Sequence, residues 1–342
     1  MRFRADSGAG LQSGDCHRKC RSPPAENNSS KNLQNKTSLR QFHLEIFLIS
    51  ETELLAVFIG ILLMYLLAVT GNLIIVTLVC SVSQLHKPMY FFLCNLSAQD
   101  IIYVSAFLPK LLAILITGDT SISFLGCITQ IFMFGFCIDS EFFLLSCMAY
   151  DRYVAICIPL RYSLIMNKKY CALLITLSWC GGFLNSLFFA IMFSNLSYCN
   201  KHEINNIYCD PIILLGLSCS DITFIVTYYI PIQGLLLGWL PFVLIFSSYI
   251  RIIMTILQIR TSVGRHKTFS SCSSHLTVVI LFFGTSLVVN MKPKSDNSLE
   301  SDKLLSMLYI GLVPLVNPLV YSLRNKDVLK AMKLFSKNIC YI

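Results

Sequence analysis

The chain has 342 residues, of which 55% are hydrophobic and only 13% charged, and its mean hydropathy is +0.66. Length alone would fit two soluble domains, but this balance belongs to a membrane protein, whose apolar surface faces lipid. The net charge of +9 is not a nucleic-acid footprint, because no basic stripe interleaved with stacking aromatics accompanies it.

Residues 1–40 are polar, carry Ser22-Pro23-Pro24 and an Asn/Ser/Lys-rich stretch, and are expected to form a disordered extracellular segment. No apolar core of roughly 7 to 15 residues follows the N-terminal arginines, so no cleavable signal peptide is expected and the first span must direct insertion. Asn27, Asn28 and Asn35 each open an Asn-x-Ser/Thr sequon, which suits an outside location. Cys16 and Cys20 form a CxxxC pair without the partners of a zinc site.

Runs of roughly 20 mostly apolar residues lie near 54–80, 89–116, 124–156, 170–193, 223–257, 268–290 and 304–323. Residues 41–324 therefore read as an all-α membrane protein, a bundle of seven transmembrane helices with its termini on opposite sides. Short-loop charge orients it. Lys and Arg are absent between spans two and three, and only Lys201 lies between four and five. The alternate loops hold Arg161, Lys168 and Lys169, then Arg260, Arg265 and Lys267. These face the cytoplasm, and the N-terminus is outside. The loop before span seven departs from the rule with Lys292, Lys294 and Lys303.

Span three carries MAYDRYVAIC, Met148 to Cys157, which sets an Asp-Arg pair at the end of a long apolar helix. Glu141 precedes Arg152 by eleven residues, about 1100° of helix, so the two share one face. An acid inside the membrane and a basic lock at its edge suit a helix that transmits a signal. Asn72, Asp100, Glu141 and Asn317 lie on four different spans, and burying Asp in lipid costs roughly 2.5–3.5 kcal/mol. They are expected to converge inside the bundle, where the two carboxylates share a proton or hold a cation. Asn317, Pro318 and Tyr321 form an N-P-x-x-Y in span seven, with the proline permitting a bend.

Most of the fifteen cysteines are expected to be small packing residues. Cys127, at the outer mouth of span three, and Cys199, Cys209 and Cys219, in the loop after span four, can pair as two bridges in three ways. Spacing does not choose among them. Asn195 opens a further sequon in that loop. Residues 325–342 are basic with apolar Val328, Leu329, Met332, Leu334 and Phe335, the pattern of an amphipathic helix on the cytoplasmic membrane surface.

The stretches Gly71-Asn72, LHKPMYFFLCNLSAQD at 85–100, MAYDRYVAIC, PLRYSLIMN at 159–167, Ser248-Tyr249, KTFSSCSSHLTVV at 267–279 and NPLVYSLRNKDV at 317–328 carry a resemblance. From about Asn35 onward the chain is similar to vertebrate odorant receptors, a branch of the rhodopsin-like G-protein-coupled receptors. The resemblance implies that Asp151, Arg152 and Tyr153 form the G-protein switch, with Tyr249 and Tyr321 swinging toward Arg152 on activation. It implies sodium between Asp100 and Glu141, disulfides Cys127–Cys209 and Cys199–Cys219, and a stimulatory, olfactory-type G protein raising cyclic AMP. Asn206 stands where many members carry His, Phe283 where Tyr is commoner, Arg161 in place of His and Lys87 in place of Thr.

An odorant site should be a closed apolar cavity with few polar anchors. The outer halves of four spans supply candidates: Phe134 and Ile138 on span three, Gln233 and Leu237 on span five, Phe283, Ser286, Leu287 and Asn290 on span six, and Met307 and Ile310 on span seven. Asp139 lies two residues, or about 200°, from Glu141. It either counters an amine ligand or bonds to a neighbouring helix. A transporter would show two related halves, and a membrane hydrolase would cluster histidines and acids. Neither pattern is present, and only His275 of six histidines falls within a span.

Overall fold

The computed structural model describes residues 41–46, 51–199, 202–291 and 299–339. Strand β1 (Gln41–Leu44) precedes helices α1 (Glu51–Ser81) and α2 (Pro88–Thr117). Strand β2 (Ser121–Ser123) leads into α3 (Phe124–Cys157) and α4 (Lys168–Ser194). After β3 (Glu203–Ile204) come α5 (Ile225–Gln258), α6 (Ser262–Met291), α7 (Leu299–Arg324) and α8 (Lys326–Ile339). Helices α1 to α7 match the seven expected spans. The largest differences are at α6 and α7, which begin several residues early because polar residues continue each helix beyond its apolar part.

Local chemistry sets the ends. Pro88 opens α2 at a position whose N–H would have no partner, and Gly118 closes it at φ 69°, a left-handed conformation that glycine adopts without strain. Ser123 caps α3 by accepting from Gly126 N at 3.1 Å, and Asn167 caps α4 from Tyr170 N at 2.9 Å. In α5 the turns widen at Ile225–Tyr229 and Gly234–Trp239. Each wide stretch precedes a proline, Pro231 or Pro241, that lacks the N–H for a regular turn. Helix α6 bends by 44° between Ser262–Ser270 and Cys272–Leu287. There the Ser273 hydroxyl donates to Ser270 O at 3.1 Å, back-bonding that bends helices.

Helix α3 is central and touches α2, α4, α5 and α6. The outward faces expose leucines such as Leu63, Leu66 and Leu67 on α1, as a lipid solvent requires. Helices α3 and α4 approach closely because small residues line the seam. A Cβ on Gly182 would stand 3.0 Å from both Phe136 O and Ser140 N, whereas one on Gly60 of α1 would meet nothing within 4 Å. Gly182→Val is expected to cost roughly 1–3 kcal/mol or more by overpacking, read as a lower melting temperature of the solubilised protein, with Gly60→Ala unchanged.

At one end β1 lies between its partners in the order β2-β1-β3, antiparallel to β2 and parallel to β3. Phe42 pairs with Ile122, and His43 with Glu203. Phe42 and Leu44 are buried with Ile204, Phe193 and Cys127. The opposite end holds Arg152 and α8, whose Val328 and Ala331 join the same buried cluster as Tyr249 and Tyr321.

Candidate functional site

The polar groups of four spans do converge. Pro318 has no N–H, which leaves the carbonyl of Pro314 without its helical partner. Asn72 Nδ2 donates to that carbonyl at 2.9 Å and to Ala68 O at 3.0 Å. Gly71 permits the approach, since a Cβ there would sit 3.1 Å from the Pro318 ring. Asn317 Nδ2 donates to Asp100 Oδ2 at 2.9 Å. Glu141 is buried beside them, and its Oε1, Asn72 Oδ1 and Tyr321 Oη have no hydrogen-bond partner among the described residues. Next to Glu141 is a cavity of about 10 Å³ lined by Tyr103, Ile138 and Phe282, room for one water-sized occupant. These unpartnered oxygens with two carboxylates suit a small hard cation, which takes oxygen ligands. Among the described residues no group of three or more His, Cys, Asp or Glu could hold a metal ion, so the charge would come from Asp100 and Glu141 alone.

At the far end of α3, Asp151 is fully buried. It accepts from Arg152 Nε at 3.0 Å, from Arg152 Nη2, and from the Tyr162 hydroxyl at 2.8 Å. Tyr162 begins a single helical turn, Tyr162–Ile165, in the loop after α3. Arg152 is therefore held by its neighbour, and the neighbour by the loop. Tyr153 is half-buried, with its ring 6.4 Å from that of Tyr150.

A second arrangement there was not expected from the sequence. The Tyr249 hydroxyl lies 2.7 Å from His275 Nδ1, the two rings stack at 5.8 Å, and His275 Nε2 lies 3.2 Å from Leu145 O. A carbonyl can only accept, so Nε2 carries a proton, and in the neutral ring Nδ1 accepts from the tyrosine. His275 thus ties α6 to α3 and α5. The signal was available, since a histidine inside a span is costly in lipid and marks a site.

Helix α8 is fastened to the start of α2. Lys87 Nζ lies 3.0 Å from Asp327 Oδ2, and the Tyr90 hydroxyl donates to Asn325 and Asp327 at 3.2 and 3.3 Å. The hydrogen bond from Lys87 holds the Asp327 carboxyl below the usual carboxylate range. A depressed carboxylate stabilises the fold above its unfolded pKa and loses that contribution as pH falls through the folded value. The pair is about half exposed, so its contribution is small. The docking of α8, followed by a label on that helix, should be unchanged from pH 8 to 5 and loosen below about pH 4, with Asp327→Asn removing the acid-dependent step.

The outer candidates separate into groups. Phe134, Ile138, Met307 and Ile310 share one cluster with Tyr103 and Phe107 of α2. Phe134 stacks on Tyr208 with centroids 5.8 Å apart and planes 20° from parallel, and Phe107 meets Tyr208 edge-on at 5.6 Å. Tyr208 belongs to the loop after α4, yet it is buried. The Cys127–Cys209 disulfide holds it there, with Cα atoms 5.4 Å apart, and Cys209 N donates to Gln130 Oε1 at 3.2 Å. Cys199–Cys219 closes the second bridge.

Phe283 packs on Phe142 and Phe242 at 5.3 and 5.4 Å. Gln233, Leu237 and Ser286 are half-buried, Leu287 is 52% exposed on the outer surface, and the side chain of Asn290 lies outside the described residues. Asp139 turns to α4, accepting from Asn185 Nδ2 at 2.7 Å and Ser186 Oγ at 3.3 Å, while Tyr229 of α5 donates to Asn185 Oδ1 at 2.9 Å. Asn195 ends α4 and is exposed. Asn27, Asn28 and Asn35 lie outside the described residues.

Seven membrane helices with a polar core, an Asp-Arg lock at one end and a bridged loop over the other are the frame of a G-protein-coupled receptor. The family model described as Olfactory receptor matches residues 61–338. Olfactory receptor 1G1 of the gorilla is 43% identical over 300 residues, covering 88% of this chain and 96% of that receptor. Olfactory receptor 5AR1 of the mouse is 45% identical over 280 residues, 81% of this chain and 89% of the relative. Human olfactory receptor 2T2 is 42% identical over 269 residues, 79% and 83% of the two chains. The chain belongs to the olfactory receptor family. It is a multi-pass membrane receptor and not an enzyme.

Proposed function

We propose that the chain binds a small, mostly apolar volatile beneath the Tyr208 loop and activates a stimulatory, olfactory-type G protein that raises cyclic AMP. One observation carries the reading: α3 bears Phe134 and Ile138 in the aromatic cluster, Glu141 in the polar core and the clamped Arg152 at its other end. A ligand that repacks the first is connected by one rigid helix to the last. The Lys and Arg bias of the loops supports an outside N-terminus and a cytoplasmic Arg152 end, with glycans on Asn195 and on the sequons of the first forty residues. Asp100 and Glu141 would bind sodium in the resting packing.

The cavity of about 10 Å³ beside Glu141 is far below the roughly 150 Å³ that admits benzene in a protein interior. A ligand acts by its differential affinity for two packings of the bundle and shifts the population toward the one it binds better. The test is cyclic AMP in cells expressing the chain with an olfactory G protein, challenged with an odorant panel including amines. A response abolished by Arg152→Ala at equal surface expression is expected. A response that survives that substitution would overturn the switch.

A further inference from the structure

We propose that a cleft between the α2 and α4 starts binds the phosphate headgroup of an anionic membrane lipid, a reading that rests on the orientation proposed above. The cleft has a volume of about 230 Å³ and a divided lining. His86, Ser163, Asn167 and Lys168 form a polar rim, and Phe91 and Met166 an apolar floor. Met166 is 3% exposed, whereas His86, Ser163 and Lys168 are exposed.

The two chain segments that supply most of its lining are basic. Residues 82–88 and 158–170 contain His86, Lys87, Arg161, Lys168 and Lys169 and not one acid. Lys87 is taken by Asp327 and the Tyr162 hydroxyl by Asp151, but neither ion pair uses Lys168 or His86. The His86 ring lies against Phe91 with centroids 6.2 Å apart. A basic rim whose Lys168 and His86 have no carboxylate partner among the described residues suits an anion.

The floor identifies the source of that anion. A free phosphate gains nothing from Phe91 and Met166, whereas a phospholipid presents its phosphate to the rim and its glycerol and first methylenes to the floor. The volume is below the roughly 300–1,000 Å³ of sites that enclose a drug-sized molecule, so it suits a headgroup whose chains stay in the bilayer. The location agrees, because helices α2 and α4 both begin here, at the membrane surface. Basic residues at that surface attract anionic lipid with an energy equivalent to about fivefold in binding per charge.

The experiment uses the purified full chain in phosphatidylcholine nanodiscs containing phosphatidylinositol bisphosphate, with retained lipid counted by native mass spectrometry. Lys168→Ala should weaken retention about fivefold. Ser163→Trp, which blocks the mouth without changing charge, should weaken it at least as much. Lys333→Ala, which removes one charge from α8, should leave it unchanged. Wild-type retention in the first two variants would overturn the site, and an equal loss in Lys333→Ala would reduce it to diffuse surface charge. Water-soluble inositol trisphosphate that displaces the lipid at equal concentration would overturn the lipid assignment. Orientation is read separately with an epitope inserted after Leu160, which is 98% exposed. Antibody binding only to permeabilised cells supports the orientation, and binding to intact cells overturns it whatever the lipid does.

Discussion

Cells expressing Cys127→Ser or Cys209→Ser should show at least a tenfold loss of receptor at the surface, with any remaining odorant response right-shifted or absent. Removing a native disulfide typically costs 2–5 kcal/mol, and here the bond spans 82 residues of sequence. Position adds to the loss. The bond holds Tyr208 between Phe107 and Phe134, and it presents Cys209 N to Gln130, whose own amide donates to Ala106 O at 3.4 Å. Breaking it both releases a buried tyrosine and takes the donor from the buried Gln130 side-chain oxygen. Cys199→Ser opens a bridge spanning 20 residues that lies farther from the aromatic cluster, so it should lower surface expression less. The check is surface staining with total protein by immunoblot. Equal surface levels for Cys127→Ser and the unmodified chain would show that the bond is not what holds the fold together.

Asp151→Asn should raise ligand-independent cyclic AMP about tenfold or more. Asp151 is fully buried and the Arg152 side chain is 15% exposed, and removing one partner of a buried ion pair costs roughly 3–5 kcal/mol because the other charge is left uncompensated. That cost falls on the clamped packing, in which Arg152 has no other ion pair among the described residues. The packing that frees Arg152 into water gains population accordingly, tenfold for each 1.4 kcal/mol. Tyr162→Phe keeps the ion pair and deletes one hydrogen bond, worth about 1 kcal/mol, so its basal activity should rise several-fold. Basal cyclic AMP normalised to surface receptor ranks the three chains. The order unmodified, Tyr162→Phe, Asp151→Asn is expected, and a fall in either variant would mean that the clamp belongs to the active packing.

What the sequence makes legible follows from what lipid forbids. Long apolar runs are unavoidable in a bilayer, so all seven spans could be placed to within a few residues. A polar group inside a span must find company, so the sequence alone brings Asn72, Asp100, Glu141 and Asn317 together. Their detailed bonding could not, because the Asn72 contact depends on a carbonyl freed by a proline four residues farther along α7. The sheet was not anticipated, since two to four residues of alternation in β1, β2 and β3 are no pattern until the partners are known. Tyr208 and Ile207 lie in a loop with no period, which hides their burial among α2 and α3. For Asp139 a bond to a neighbouring helix is the commoner fate of a buried acid, and the structure supplies Asn185 and Ser186 as its partners. Cysteine spacing left three pairings, and the bonded pairs are those that the family resemblance implied.

The seat of Tyr208 also governs time. If odorant binds beneath Tyr208 as proposed, the packing of that side chain between two phenylalanines on a loop anchored one residue away gates its arrival and departure. Such gating scales arrival and departure by the same factor, so it leaves the strength of binding untouched while lengthening the stay of each molecule. Slower decay of the signal after the odour is withdrawn would then be a property of the lid, and fine discrimination among odours a property of the wall beneath it.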